Sequence, residues 1–219
     1  MTAGVAGGNR PLREIRDSVE AYYSRVLERH GPTARGVDWQ CTATQYLRLV
    51  QLLKVCDLGR PSSLNDFGCG YGALLALLAE RFPDAAIDYH GVDVSPAMIG
   101  AARSLWSAKP DARFSVGAKC PRRADYSLAS GVFNVRLDSP VDRWERYVES
   151  ILGDLRRRSG KGFAVNFLRR KRGQPPVAGL YHSTPRRWTA FCVKELDCTT
   201  EVVANYGLAE FTLLARIGD

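Results

Sequence analysis

The chain of 219 residues carries a formal net charge of +8, with 45% hydrophobic and 25% charged residues, which suits one globular domain with an adequate core. No apolar run reaches the roughly 18–20 residues that would span a bilayer, and the first ten residues lack the features of a signal peptide, so we expect a cytoplasmic protein without membrane contact. The six cysteines form neither a C-x-x-C pair nor a Cys/His cluster, which argues against a metal site and for reduced thiols.

Two helices are predicted ahead of the first strand. Apolar residues at helical spacing predict one helix over Leu12–Arg29, which ends at Gly31, and a second helix over Thr42–Cys56. We assign residues 1–60 to an N-terminal tail and a helical lid segment, and residues 61–219 to the principal domain.

The remainder of the chain alternates short apolar runs with amphipathic helices, which predicts an α/β fold. The predicted strands are Ser62–Phe67, Ala86–Val94, Arg113–Val116, Asp125–Val135, Gly162–Leu168, Thr199–Ala204 and Glu210–Ile217. The predicted helices are Gly72–Arg81, Pro96–Ser107, Pro140–Arg158, which Ser139 would cap and Gly160 would end, and one that starts at Pro185. We therefore expect a doubly wound, Rossmann-like sheet of seven strands with helices on both faces. The last two strands are joined too tightly for a crossover, so the last strand must run antiparallel.

A glycine-rich turn, NDFGCGYG, lies between the first predicted strand and the following helix. Gly68 and Gly70 lack a Cβ, so a ligand can approach the backbone at the start of that helix. Asp93 ends the second predicted strand, where a carboxylate can accept hydrogen bonds from both hydroxyls of a ribose. Together these features predict a nucleotide-binding site.

The spacing of the glycines in this turn does not decide between a dinucleotide and another nucleotide. Gly68, Gly70 and Ala73 also fit the dinucleotide pattern G-x-G-x-x-G/A. The acidic residue at the start of the turn, the third glycine, Gly72, and the reversed last strand count against a nicotinamide cofactor. The absence of G-K-[ST] from the turn argues against a Walker loop.

The motif DFGCGYG resembles the first motif of the class I S-adenosylmethionine-dependent methyltransferases, and GVDVSPAMIGAAR resembles their second. The segment DYSLASGVFNVR is similar to the strand with their fourth motif, and YGLAEFTLLARI to their terminal hairpin. The stretches HGPTARGVDW, ASGVFNVRL, KGFAVNFL and YHSTPRRW resemble small stand-alone bacterial members from biosynthetic gene clusters. The likeness runs from about residue 39 to the C-terminus and implies S-adenosylmethionine as the cofactor.

The resemblance also implies contacts at the methionine end of the cofactor. Asp66, Gly68 and Gly70 would hold the methionine moiety. Ser130 and Gly131, after the fourth strand, would line the region of the sulfonium. A plain tight turn is the alternative interpretation of the glycines.

At the adenosine end, the resemblance implies that Asp93 binds the ribose and that Val94 and Met98 flank the adenine. An N-cap role for Asp93 and simple core packing for Met98 stay open. Many members carry an Asp after the third strand, where this chain has Gly117 and Ala118. We therefore expect backbone or other contacts to the adenine there.

Methyl transfer is an in-line displacement, so the enzyme chiefly aligns acceptor, methyl group and sulfur. The acceptor should bind beyond the carboxyl ends of the strands. His182 is the candidate general base, because its unperturbed pKa is near 6.5, with a surface or capping role as the alternative. Candidate substrate contacts are Tyr23, Trp39, Arg169, Arg170 and Tyr181, and the basic run Arg169–Arg172 could bind an anion or be a solvated loop.

These observations predict a methyltransferase that modifies an oxygen or nitrogen atom of a small, anionic metabolite. An RNA or other nucleic-acid methyltransferase is the alternative that the positive charge suggests, although the chain lacks an N-P-P-[YF] motif. A protein that binds the cofactor without catalysis is the third hypothesis. A monomer and a homodimer both fit the sequence.

Overall fold

The computed structural model describes residues 10–170, 173 and 175–218. Its helices are α1 (Arg10–His30), α2 (Thr42–Leu53), α3 (Ala73–Arg81), α4 (Pro96–Leu105), α5 (Val141–Arg158) and α6 (Pro185–Leu196), with a 3₁₀ turn at Arg35–Val37. Its strands are β1 (Ser62–Phe67), β2 (Ile87–Asp93), β3 (Arg113–Val116), β4 (Ala124–Ala129), β5 (Ser159–Arg169), β6 (His182–Ser183), β7 (Cys198–Ala204) and β8 (Glu210–Ile217). None of these described helices has the length and apolar character needed to cross a membrane.

The strands form one sheet in the order β3-β2-β1-β4-β5-β8-β7, and the two-residue strand β6 pairs beside β5. Strands β1 to β5 run parallel, and β8 lies antiparallel between β5 and β7. The predicted Rossmann-like α/β fold and its antiparallel last strand are therefore confirmed. With the short strand β6, the described residues form eight strands instead of the predicted seven.

The fourth strand is shorter than predicted. It ends at Ala129, not at Val135, because the chain turns at Gly131, whose φ is 74°. The Asn134 N–H then donates to the Gly131 carbonyl at 3.3 Å. The apolar residues that extended the predicted strand, such as Phe133, are buried in this turn.

Two helix-end predictions for α5 are wrong. Pro140 occupies the N-cap position, with no side-chain capping bond, so Ser139 is not the cap. The helix passes directly into β5 at Ser159, so Gly160 lies inside a strand and does not end the helix. The helical face with Trp144 is nonetheless buried, as the apolar spacing predicted.

The core lies on both faces of the sheet. On β5, Phe163 and Val165 belong to one hydrophobic cluster, whereas Ala164 belongs to the other. Ile15 of α1 packs into the first cluster and Leu52 of α2 into the second. The segment before β1 therefore shares the core of the sheet, and its role as a lid stays a prediction.

A buried ion pair joins α2 to the last strand. Arg48 donates from Nε and Nη2 to Glu210 Oε1 at 2.8 and 2.6 Å, and from Nη1 to the Thr44 carbonyl at 2.7 Å. Asn166 of β5 donates from Nδ2 to Glu210 Oε2 at 2.9 Å. The two charges are thus paired and hydrogen-bonded, which offsets the cost of removing them from water.

We expect Glu210→Gln to destabilise the protein by about 3–5 kcal/mol, because it leaves the Arg48 guanidinium buried without a counter-charge. Urea denaturation followed by circular dichroism measures the change. Asp142→Asn is the matched control, since it breaks an exposed pair with Arg146, and exposed pairs contribute little to stability. Equal losses for the two variants would contradict the importance of the buried pair.

Candidate active site

The site is built around the sharp turn that connects β1 to α3. Gly68 and Gly70 have φ values of 72° and 54°, in the left-handed region that favours glycine. A Cβ on Gly68 would lie 2.5 Å from Val132 Cγ2, and one on Gly70 would lie 2.9 Å from Val37 Cγ1. Neighbouring segments therefore touch the turn itself, and larger residues cannot replace either glycine without displacing them.

The carboxylate of Asp93 faces this turn. Its Oδ2 accepts a hydrogen bond from Gly70 N at 3.0 Å, and its Oδ1 accepts one from Ser95 N at 2.9 Å. Ser95 is the N-cap of α4, and its hydroxyl accepts from Met98 N at 3.2 Å. Ser95, and not Asp93, is therefore the N-cap of α4, and the carboxylate of Asp93 faces the glycine turn. Burial raises the pKa of Asp93.

Asp66, at the end of β1, is a second carboxylate at this turn and is buried. It is 3% exposed and accepts a hydrogen bond from Tyr89 Oη at 2.7 Å. Burial raises the pKa of Asp66 to about 7, and the nearby charge of Asp93 adds to the increase, whereas the Tyr89 bond opposes it. A cationic ligand would favour the ionised form of this group.

The turn and both carboxylates border a cavity of about 840 Å³, including its open mouth. The predicted site residues that line it are Asp66, Gly68, Gly70, Asp93, Val94, Met98, Gly117, Ser130, Gly131, Tyr23 and Trp39. Ala118 does not line it and instead borders two neighbouring depressions beside α1. The cavity combines a mostly apolar wall with a few polar groups, as binding sites for small molecules do.

Several lining residues were not predicted from the sequence. They come from helices far from the glycine motif and from the turn after β4, and they include Val19, Gln45, Leu49, Val132 and Tyr147. In the sequence, these residues have the same spacing as ordinary core positions of a helix or an apolar segment. Only the three-dimensional packing of α1, α2 and α5 against the turn distinguishes them.

The first helix closes one side of the cavity. Val19 and Tyr23 of α1 form part of the wall. Ser24, one residue further, lies 2.8 Å from the hydroxyl of Ser95, and Tyr22 donates to Asp38 at 2.8 Å. The helix is therefore attached both to Ser95, at the start of α4, and to the loop that precedes α2.

Trp39 closes another side and is held by the buried ion pair. The Arg48 guanidinium lies 3.8 Å from the centre of the Trp39 ring. A Cβ on Gly131 would lie 2.5 Å from Trp39 Cζ2, so the indole rests on the turn after β4. Gly131 N donates to Asn166 Oδ1 at 2.7 Å, and Asn166 also bonds Glu210. The indole and the turn beneath it are thus fixed by one network.

Comparison with known proteins identifies the family of this site. Residues 65–156 match a methyltransferase domain. The chain is 38% identical over 165 residues to the "Putative methyltransferase Rv1506c" of Mycobacterium tuberculosis, a match that covers 75% of this chain and 98% of that protein. The chain belongs to the class I S-adenosylmethionine-dependent methyltransferases.

Two further similarities concern the fold and a shorter part of the sequence. Magnesium protoporphyrin IX methyltransferase from Synechocystis, solved with bound S-adenosylhomocysteine, superposes with a TM-score of 0.65 at 14% identity and covers 95% of this chain and 100% of its own. Trans-aconitate 2-methyltransferase of Escherichia coli is 46% identical over 65 residues, 30% of this chain and 24% of that relative. The cofactor of this methyltransferase is S-adenosylmethionine.

Four of the predicted acceptor-site residues do not line the cavity of the methyltransferase: Arg169, Arg170, Tyr181 and His182. Tyr181 is 3% exposed and donates to Glu145 at 2.8 Å, and Arg169 donates to Asn205 at 3.0 Å. His182 lies on β6, and burial together with the charge of Arg170 lowers its pKa. These residues share the carboxyl edge of the sheet with the cavity but do not face it. Of the predicted basic run, Lys171 and Arg172 lie outside the described residues.

The cavity wall lacks cationic side chains. Among the described residues that line it, none is Lys, Arg or His, and Arg48 beside it is neutralised by Glu210. Within the same described part of the chain, no group of three or more His, Cys, Asp or Glu side chains could hold a metal ion. The positive charge of the bound cofactor would therefore face two carboxylates and mostly apolar groups.

We expect Asp93→Asn to weaken binding of S-adenosylhomocysteine by about 10- to 100-fold, because an amide loses the charge that strengthens hydrogen bonds to the ribose hydroxyls. Isothermal titration calorimetry measures the affinity, and circular dichroism checks the fold. Asp142→Asn, an exposed change of the same type, is the control. An unchanged affinity in the Asp93 variant would refute its role at the ribose.

The cofactor's affinity should also depend on pH through Asp66. Its pKa is raised to about 7, so protonation below that pH removes the negative charge that we expect to hold the methionine moiety. Affinity should fall as pH drops through 7, by at most about tenfold per pH unit, and level off above it. Calorimetry at several pH values tests this. Asp66→Asn should abolish the slope, and a slope that persists in this variant would contradict the assignment.

Proposed function

We propose that this methyltransferase transfers the methyl group to an oxygen or nitrogen atom of a small molecule whose reacting atom carries a negative charge. The observation that carries the proposal is the composition of the cavity wall, which contains no Lys, Arg or His among the described residues. Its two carboxylates, Asp66 and Asp93, are assigned to the cofactor, so the wall leaves neither a free base nor a side-chain cation for the acceptor.

The enclosure of the cavity supports a small acceptor. Val19 and Tyr23 of α1 cover one side, and Val37 of the 3₁₀ turn lies against the glycine turn. Trp39 rests on Gly131 beside the region expected for the sulfonium. An acceptor must reach the methyl group between these walls, which favours a small molecule over a folded nucleic acid.

Apart from the two carboxylates assigned to the cofactor, the titratable groups of the wall support an acceptor that needs no base. Burial raises the pKa of the Tyr23 and Tyr147 hydroxyls and of the Cys69 thiol, so all three stay protonated near neutral pH. A carboxylate or an acidic phenolate is already a nucleophile under these conditions. His182 lies outside the cavity and takes no part in the proposed mechanism.

The charge balance of the reaction fits this acceptor. The nucleophile donates an electron pair to the methyl carbon while the carbon–sulfur bond breaks and its electrons return to sulfur. The products are a neutral methylated acceptor group and the thioether S-adenosylhomocysteine. Before transfer, the sulfonium is the positive charge that attracts the anionic nucleophile, so the wall needs only to align the two.

A panel of paired acceptors tests the proposal. Purified full-length protein is incubated with S-adenosylmethionine and either a carboxylic acid or its primary amide, starting with trans-aconitate because a relative carries that name. Release of S-adenosylhomocysteine and the mass of the product are measured. We expect turnover of acids only, with His182→Ala within about twofold of the wild type.

Faster turnover of the amides, or loss of activity in His182→Ala, would contradict the proposed acceptor class. The positive net charge of the chain motivates one competing acceptor, RNA. Methylation of RNA with a steep loss of binding as salt is raised would favour that function instead.

A further inference from the structure

The part of the cavity wall that is not assigned to the cofactor has no charged side chain among the described residues. Its polar side chains are those of Tyr23, Gln45, Cys69 and Tyr147. Burial raises the pKa of both phenols and of the thiol, so these groups are neutral near pH 7. The amide of Gln45 is neutral and already accepts a hydrogen bond from Tyr71. An acceptor in this space therefore meets uncharged groups only.

Aromatic rings form a large part of the same wall, and one of them is held in a fixed orientation. Arg48 lies 3.8 Å from the centre of the Trp39 ring and covers one face of the indole, but it does not itself line the cavity. The Cζ2 edge of the indole rests on Gly131. Trp39 therefore presents its remaining face to the cavity, beside the region expected for the sulfonium. The rings of Tyr23 and Phe67 also line the cavity.

Aliphatic side chains supply most of the rest of this wall. Val132 lies against the glycine turn, where a Cβ on Gly68 would come within 2.5 Å of its Cγ2. Leu49 of α2 and Leu74 of α3 also line the cavity. Such a wall makes apolar contacts with a ring, but it offers no counter-charge to an ionised group. Removing a carboxylate from water without a counter-charge is costly.

We propose that the acceptor is an aromatic monoacid, a flat ring system whose single charged group is the carboxylate or phenolate that receives the methyl group. This inference rests on the proposed function, which makes the reacting atom anionic, and it narrows that function to acceptors without a second charge. The ring would stack on the remaining face of Trp39, since paired aromatic rings gain more than the burial of their area provides.

The reaction itself favours a single charge on the acceptor. An electron pair of the anionic oxygen forms the bond to the methyl carbon while the carbon–sulfur bond breaks, so the negative charge and the sulfonium charge disappear together. The product is a neutral ester or ether in an uncharged wall. A second carboxylate would stay ionised before and after transfer, and the described wall would offer it no cation.

A polyacid has one competing place for its second charge. The side chains of Arg169 and Arg170 are exposed at the same carboxyl edge of the sheet, but they do not line the cavity. An acceptor held by these arginines would keep its second charge outside the cavity. The two arrangements predict opposite preferences, because the arginines favour polyacids and the cavity wall favours monoacids.

Matched sets of three acids test the proposal on the full-length protein. One set consists of benzoate, terephthalate, which adds a second carboxylate, and cyclohexanecarboxylate, which replaces the flat ring; a naphthoate set is built in the same way. Release of S-adenosylhomocysteine gives kcat/KM, and calorimetry on protein saturated with S-adenosylhomocysteine gives the affinity for each acid. We expect the aromatic monoacid to exceed the diacid by at least about tenfold and the saturated acid by about threefold to tenfold.

Variants of Trp39 show whether the indole causes the preference for a flat ring. Trp39→Leu should remove the preference for the aromatic over the saturated acid, whereas Trp39→Phe, which keeps a ring, should retain most of it. Circular dichroism checks that both variants fold. Tyr46→Leu is the control, because Tyr46 is a half-buried aromatic residue of α2 that does not line the cavity. This variant should leave both preferences unchanged.

Three results would overturn this inference and leave an anionic acceptor intact. They are equal turnover of monoacid and diacid, faster turnover of the diacid that Arg170→Ala abolishes, and a preference for the aromatic acid that survives in Trp39→Leu. A protein that neither binds nor methylates any of these acids would also overturn it. Faster turnover of primary amides than of acids would instead refute the proposed function itself.

Discussion

The hydrogen bond from Gly70 N to Asp93 Oδ2 is the contact on which the rest of the site depends. It joins the turn after β1 to the tip of β2, the two neighbouring strands whose carboxyl ends form the cofactor edge. The left-handed conformations at Gly68 and Gly70 make this approach possible, because a Cβ at either position would collide with a packed neighbour. The result is a half-buried carboxylate, whose pKa is raised by burial. A ribose would supply further hydrogen-bond donors to it.

The opposite wall depends on a second constraint, the buried pair between Arg48 and Glu210. Buried ion pairs contribute little net stability compared with apolar residues of the same size. This pair spans 162 positions of the sequence and ties Trp39, through the Arg48 guanidinium, to α2 and β8. Asn166 carries the same network to the turn at Gly131. The arrangement fixes a rigid surface beside the expected sulfonium, where in-line transfer requires accurate alignment of the acceptor.

Much of the fold could be predicted from the sequence, because alternating apolar runs and amphipathic helices report directly on burial. The glycine turn and Asp93 could also be predicted, since their local spacing encodes backbone geometry. The strand β6 could not, because two residues carry no periodicity. The end of β4 was misplaced because Phe133 is as buried in a turn as it would be in a strand. His182 reaches the correct edge of the sheet without facing the cavity, whereas Gln45 reaches the cavity only through the packing of α2 against α3. Sequence position therefore identifies the edge of the sheet but not the direction of each side chain.

A crystal structure of the protein with S-adenosylhomocysteine tests the central claim most directly. The account predicts both ribose hydroxyls within hydrogen-bonding distance of the Asp93 carboxylate and the sulfur between the glycine turn and Gly131. The adenine should lie against Val94 and Met98, which line that end of the cavity. Density for the ligand in another cavity, or a ribose that makes no contact with Asp93, would contradict the account.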